Sequence, residues 1–108
     1  MATPLRLGID RRDDGTLVLQ AAGELDLSNI DAFSQALADA LTKASTDGGT
    51  VTVDLRRVEY LDSGAINALF ARADHIRLIA NPILMPVLKI SGLTDVAQVE
   101  AASPSSDH

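Results

Sequence analysis

Cysteine and tryptophan are both absent from this 108-residue chain, and only 3% of its residues are aromatic. Without cysteine there are no disulfides, no thiol nucleophile and no cysteine-ligated metal. So few aromatics leave no stacking platform for single-stranded nucleic acid. Long apolar runs are missing too, so no segment reads as a membrane span. The Met1–Gly8 segment does not have the pattern of a signal peptide. Basic clusters do not exceed the pairs Arg11-Arg12 and Arg56-Arg57, and the net charge is −6. Nucleic acid and anionic membrane are therefore poor partners. What remains is an apolar fraction of 46%, enough for the core of one modest domain. These features describe a cytoplasmic domain that meets a protein or a small ligand.

The order of elements follows from periodicity and breakers. Leu5, Leu7 and Ile9 alternate with polar residues, as in a half-buried strand. Asp13-Asp14-Gly15 signals a hairpin, and Thr16 to Ala22 is the antiparallel return. Gly23, within an apolar strand, marks a bulge or a close backbone approach. Ser28 is the expected N-cap of a helix whose apolar face is Ile30, Phe33, Leu37, Ala40, Leu41 and Ala44, with Asp31 completing a weak capping box. Asp47-Gly48-Gly49 ends that helix. Thr50 to Leu55 reads as a strand, with Asp54 pointing away from Val51, Val53 and Leu55 toward solvent or the strand end. A helix from Ser63 to about Arg72 follows, burying Ile66, Leu69, Phe70 and Ala73. His75 to Ala80 is the next strand.

Asn81-Pro82 opens a further helix over Ile83 to Ile90, made irregular or late-starting by Pro86. Within it, Ile83-Leu84-Met85 and Val87-Leu88 read either as core or as an exposed docking ridge. Ser91-Gly92-Leu93 stops it. Asp95 to Val99 is a short last strand. Residues 1–100 thus form one α/β domain, a small mixed sheet of four to five strands packed by three or more helices. Residues 101–108 form a disordered tail. The later strands connect through helices and should run parallel, with the helices mostly on one face.

Asp62-Ser63-Gly64, between a strand end and a helix start, is the most informative stretch. Such a turn presents free N–H groups and the positive end of a helix dipole, a setting that suits a phosphate. Other chemistry is poorly supported. His75 has no second ligand at metal spacing, so no metal site is expected. Ser63 and His75 lack the nucleophile elbow and oxyanion loop of a hydrolase, so no catalytic residues are assigned. Gly48-Gly49 is too short for a phosphate loop, and no cofactor is expected.

In order, Gly23-Glu24-Leu25-Asp26 with the following helix, Val51-Thr52-Val53-Asp54-Leu55, Asp62-Ser63-Gly64, Asn81-Pro82 and Ser91-Gly92-Leu93 resemble STAS domains. These comprise bacterial anti-sigma factor antagonists and the cytoplasmic tails of sulfate transporters. The resemblance spans Leu5 to Val99. It implies a non-enzymatic binding module whose partner is an anti-sigma factor that is also a serine kinase. That kinase phosphorylates a Ser or Thr at the start of the central helix, and a phosphatase reverses it. The unphosphorylated form binds the anti-sigma factor and frees the sigma factor.

Onto this chain the pattern carries Ser63 as candidate phosphoacceptor, and Asp26, Asp62, Ser63, Gly64 and Asn67 as the partner surface. Where the family has Asp-Ser-Ser/Thr-Gly-Leu, this chain has Asp62-Ser63-Gly64-Ala65-Ile66. Glycine therefore occupies the usual acceptor position. The segment before Asn81 is also shorter, by about two helical turns, and the family's final helix is missing or replaced by the Ser/Pro tail. Ser63 thus reads either as an acceptor or as a simple helix cap. Asp26 and Asp62 read as partner contacts or as cap and turn residues. A second functional reading is an accessory subunit, never phosphorylated, that docks on a membrane transporter.

Overall fold

The computed structural model describes residues 5–12, 16–44 and 49–102. Five strands make one sheet in the order β1-β2-β3-β4-β5: β1 (Arg6–Arg11), β2 (Leu17–Leu25), β3 (Val51–Leu61), β4 (Ile76–Ala80) and β5 (Gln98–Ala101). β1 pairs antiparallel with β2, and every later pair is parallel. The helices are α1 (Ile30–Ala44), α2 (Ser63–Ala71), α3 (Met85–Ser91) and α4 (Leu93–Val96). The hairpin turn expected at Asp13-Asp14-Gly15 lies outside the described residues, as do residues 103–108 of the expected tail.

Strand alternation gives the sheet two unlike faces. Leu17, Leu19, Val51, Val53, Leu55, Leu78 and Ala80 point to one side. Phe33 and Leu37 of α1, Ala65 and Leu69 of α2, Leu88 of α3 and Leu93 of α4 complete a single buried cluster with them. All four helices therefore serve one face. The other face carries exposed Gln20, Arg77 and Gln98, with Val18, Thr52 and Asp54 buried among them. At the edge, β1 is exposed throughout. Leu5 packs on the core, whereas Leu7 and Ile9 sit at its rim, 36% and 43% exposed.

Several elements differ from expectation. β3 continues to Leu61, well past Leu55, because its ladder with β2 shifts twice, between Gln20/Ala22 and between Gly23/Glu24. Two extra residues in β3 break the apolar alternation that marks a strand. Gly23, at φ 105°, sits at the second shift, with the extra residue in the opposing strand. α1 starts at Ile30, after Asn29, whose carbonyl accepts from Phe33 N at 3.2 Å. Ser28 is thus two residues before the helix and does not cap it.

A 3-10 turn, Ala73–His75, closes the short segment directly onto β4. Pro82–Leu84 is likewise 3-10, and Pro86 falls in the first turn of α3, where a proline costs no helix hydrogen bond. Asn81 caps that turn by accepting from Ile83 N at 3.1 Å. Gly92, at φ 87°, ends α3 in the left-handed region. Asp95 lies in α4, and the last strand is Gln98–Ala101, so order extends past residue 100. Ala102 N also donates to Ala80 O at 2.8 Å.

Candidate functional site

The C-terminal ends of the parallel strands β2 and β3 bring two loops together, and Asp62 joins them. Its backbone N–H donates to Leu25 O at 3.2 Å. Its Oδ1 accepts from Ala65 N at 2.9 Å, capping α2. Its Oδ2 accepts from Leu27 N at 2.9 Å, across 35 residues of sequence. One carboxylate therefore satisfies an orphan N–H of a helix start and fixes the β2–α1 loop against it. Asp62, not Ser63, is the cap of the central helix.

The β2–α1 loop is braced from its other side. Asp26 Oδ1 accepts from both the N–H and the hydroxyl of Ser28. Asn29 Oδ1 accepts from Asp26 N at 3.0 Å, and Asn29 Nδ2 donates to Glu24 O at 2.8 Å. Asp26 is thus a turn-forming residue, part-buried, one residue from the loop backbone that Asp62 holds. Asn29 is the member sequence reasoning missed. An Asn just before a helix, three residues after an Asp, is the pattern that signals such a turn.

Ser63 is the first residue of α2 and is exposed, with no hydrogen-bond partner among the described residues. Gly64 is half-buried beneath Leu27. A Cβ there would stand 3.2 Å from Leu27 Cδ2 and 3.3 Å from Asp62 Oδ1, tight enough that Leu27 would have to give. Leu27 is 78% exposed, so it has room to move. Asn67, one turn further along α2, is exposed on the outward side. Asp26, Asp62, Ser63 and Gly64 are therefore drawn together around the Leu27 backbone, and Asn67 extends their edge along the helix.

The expected ridge at the next loop is divided. Leu84 and Leu88 are buried, while Ile83, Val87 and Ile90 stand 66%, 37% and 87% exposed at helical spacing. Asp54 departs from its expected solvent-facing position. Its side chain is buried, and its carboxylate accepts from Arg56 N, Nε and Nη2 at 2.8–3.2 Å. Burial pushes the Asp54 pKa up, but the hydrogen bonds and charge of Arg56, helped by Arg12, outweigh it and hold the carboxyl below its ordinary value. His75 is exposed, and no group of three or more His, Asp or Glu able to hold a metal occurs among the described residues. None of the helices is long and apolar enough to cross a membrane, among the described residues.

A five-stranded sheet with one antiparallel edge, helices on one face and a capped loop pair at the strand ends defines a small mixed α/β fold. The family model described as Mlab, STAS domain matches residues 10–78, and the chain belongs to the STAS family. No curated protein sequence matches it. Among solved structures, an anti-sigma factor antagonist from Mycobacterium paratuberculosis aligns over 99% of this chain and 93% of its own, with TM-score 0.78 and 21% identity. The unphosphorylated form of the antagonist SpoIIAA aligns over 92% and 90%, with TM-score 0.68 and 18% identity. A protein of SpoIIAA-like fold from Shewanella loihica aligns over 99% and 92%, with TM-score 0.62 and 16% identity. At these identities the likeness is one of fold.

Proposed function

We propose that this protein is an anti-sigma factor antagonist, a non-enzymatic cytoplasmic module that binds an anti-sigma factor of the serine-kinase type and frees a sigma factor. The observation that carries the reading is the Asp62 clamp. It pre-organises two loops into one rigid edge on which Leu27, Ser63 and Asn67 stand exposed beside Asp26 and Gly64. A surface already ordered before binding loses little entropy on association. Support also comes from the whole-chain fold likeness to proteins described as anti-sigma factor antagonists.

Phosphorylation of Ser63 would switch this edge off, and a phosphatase would restore it. The phosphate would add up to about two negative charges at the edge. The N–H groups of Ser63 and Gly64, which have no partner among the described residues, would hold it in place. A partner surface shaped for the neutral edge would then have to desolvate that charge. Glycine at position 64 favours a second reading, an accessory subunit of a membrane transporter that is never phosphorylated.

The test is affinity capture from the native cells with wild-type and Ser63→Glu baits, read by mass spectrometry. A kinase-type anti-sigma factor held by wild type and lost from Ser63→Glu is the expected result. The same anti-sigma factor on both baits, with Ser63 never modified, removes the switch and keeps the antagonist. A permease or transport ATPase on both baits replaces the first reading with the second.

A further inference from the structure

The open face of the sheet carries a cleft that shares no residue with the edge around Asp62. Its volume is about 320 Å³, at the small end for ligand pockets. Two rungs on this face of the sheet build it, with Arg56 from the bulge between them. Arg6, Ala22 and Arg57 are cross-strand partners on β1, β2 and β3, so the two arginines flank a single small methyl. Residues directly opposite one another share a face, so both guanidinium groups rise on the same side, from backbones roughly 10 Å apart. The neighbouring rung is Gly8, Gln20 and Asp54, and Gly8 has no side chain to fill the gap. Arg56 closes the third side, with its Nε and Nη2 locked onto Asp54, while Nη1 enters none of these bonds.

The charge balance is unusual for this molecule. The chain carries a net charge of −6, yet the cleft is lined by three arginines and one carboxylate, and that carboxylate is already spent on Arg56. The Arg6 and Arg57 side chains have no hydrogen-bond or ion-pair partner among the described residues. Arginine forks matched to a narrow gap recognise oxyanions, because the planar donors pair with two oxygens at once. A fork already fixed by Asp54 also forfeits little freedom on binding.

We infer that the cleft between Arg6, Arg56 and Arg57 on the open sheet face is a binding site for the oxyanion group, phosphate or carboxylate, of a small molecule. The test titrates the 15N-labelled chain with pyrophosphate and, separately, with citrate. Saturable shifts confined to Gly8, Gln20, Ala22 and Arg57 are expected. Stronger binding of pyrophosphate names phosphate as the recognised group, and stronger binding of citrate names carboxylate.

The Arg6→Gln/Arg57→Gln double variant should weaken binding at least tenfold, and Arg72→Gln, at the end of α2, should leave it unchanged. Gly8→Val separates a built site from a diffuse basic surface. It keeps every charge but fills the floor, and its Cβ would meet only Gln20 Oε1, at an ordinary 3.9 Å. At least a fivefold loss is expected. Shifts that fail to saturate, or equal affinity in wild type and the double variant, would overturn the inference. So would full binding by a folded Gly8→Val. Thermal melts establish that each variant folds, and if Gly8→Val does not, the arginine pair decides.

Discussion

Replacing Asp62 by alanine tests the clamp at its centre. The substitution removes the α2 cap, which costs about 1 kcal/mol. It also removes the acceptor for Leu27 N. A charge-assisted bond of this kind is worth about 1.5–3 kcal/mol when sheltered, and about 1 kcal/mol at this exposed loop, where water replaces the lost partner. The sum is about 2 kcal/mol. In a domain of this size that lowers Tm by about 8 °C. Asparagine retains one acceptor oxygen for two N–H groups, so Asp62→Asn should lose about half as much.

Urea titration at neutral pH measures both values. Amide hydrogen exchange supplies the local readout, because the Ala65 N–H should exchange about 30-fold faster in Asp62→Ala, the equivalent of 2 kcal/mol. If Asp62→Ala unfolds within about 0.5 kcal/mol of wild type, the bridging role is refuted. If asparagine is as damaging as alanine, the division of labour between the two oxygens is wrong.

Three further outcomes follow from the core and the backbone. Leu69→Ala empties a fully buried position between α2 and the sheet and should cost about 2–5 kcal/mol by chemical denaturation. Gly92→Ala should cost about 1 kcal/mol through left-handed backbone strain alone, since its Cβ would meet Phe70 Cζ at an unstrained 3.9 Å. Asp54 has a folded pKa below its ordinary 3.8, so its contribution to stability is complete above the unfolded pKa and is lost as pH falls through the folded one. An acid titration of stability should therefore be steeper below about pH 4 in wild type than in Asp54→Asn.

Where a residue's role is set by local rules, the sequence shows it. The α1 face is legible because Phe33, Leu37, Ala40 and Ala44 obey helical spacing, and all are buried. Asn81-Pro82 and Gly92 are legible because a capping side chain, a proline and a left-handed glycine each require one conformation. The far half of β3 is hidden for the opposite reason. Arg56, Arg57, Glu59 and Tyr60 show no apolar alternation, yet they are strand residues whose period is interrupted by two bulges. The Asp54–Arg56 pair depends on the length of that strand, because the pairing at i and i+2 emerges only once the strand is known to continue. Ser28 and Asn29 are both good capping residues, and bonds within the turn, to Asp26 and Glu24, decide between them.

Those two bulges connect the open face to the edge around Asp62. β2 and β3 begin in register at Leu17 and Val51 and end at Leu25 and Leu61, so eight steps along β2 match ten along β3. Each bulge sets two β3 residues against one of β2, so the residues beyond it still face the same way as their partners, and Val58 after the first bulge and Leu61 after the second both reach the core. The bulges also take up two residues of length, about 7 Å of strand. Without them, Leu25 would lie opposite Glu59, and Asp62 would overshoot the β2–α1 loop it clamps. The first bulge is where Asp54 folds back to accept from Arg56 N, so that part-buried pair stabilises the irregularity that sets the register. The position of Asp62 is therefore fixed by the count of residues between Gln20 and Leu25 against that between Asp54 and Leu61.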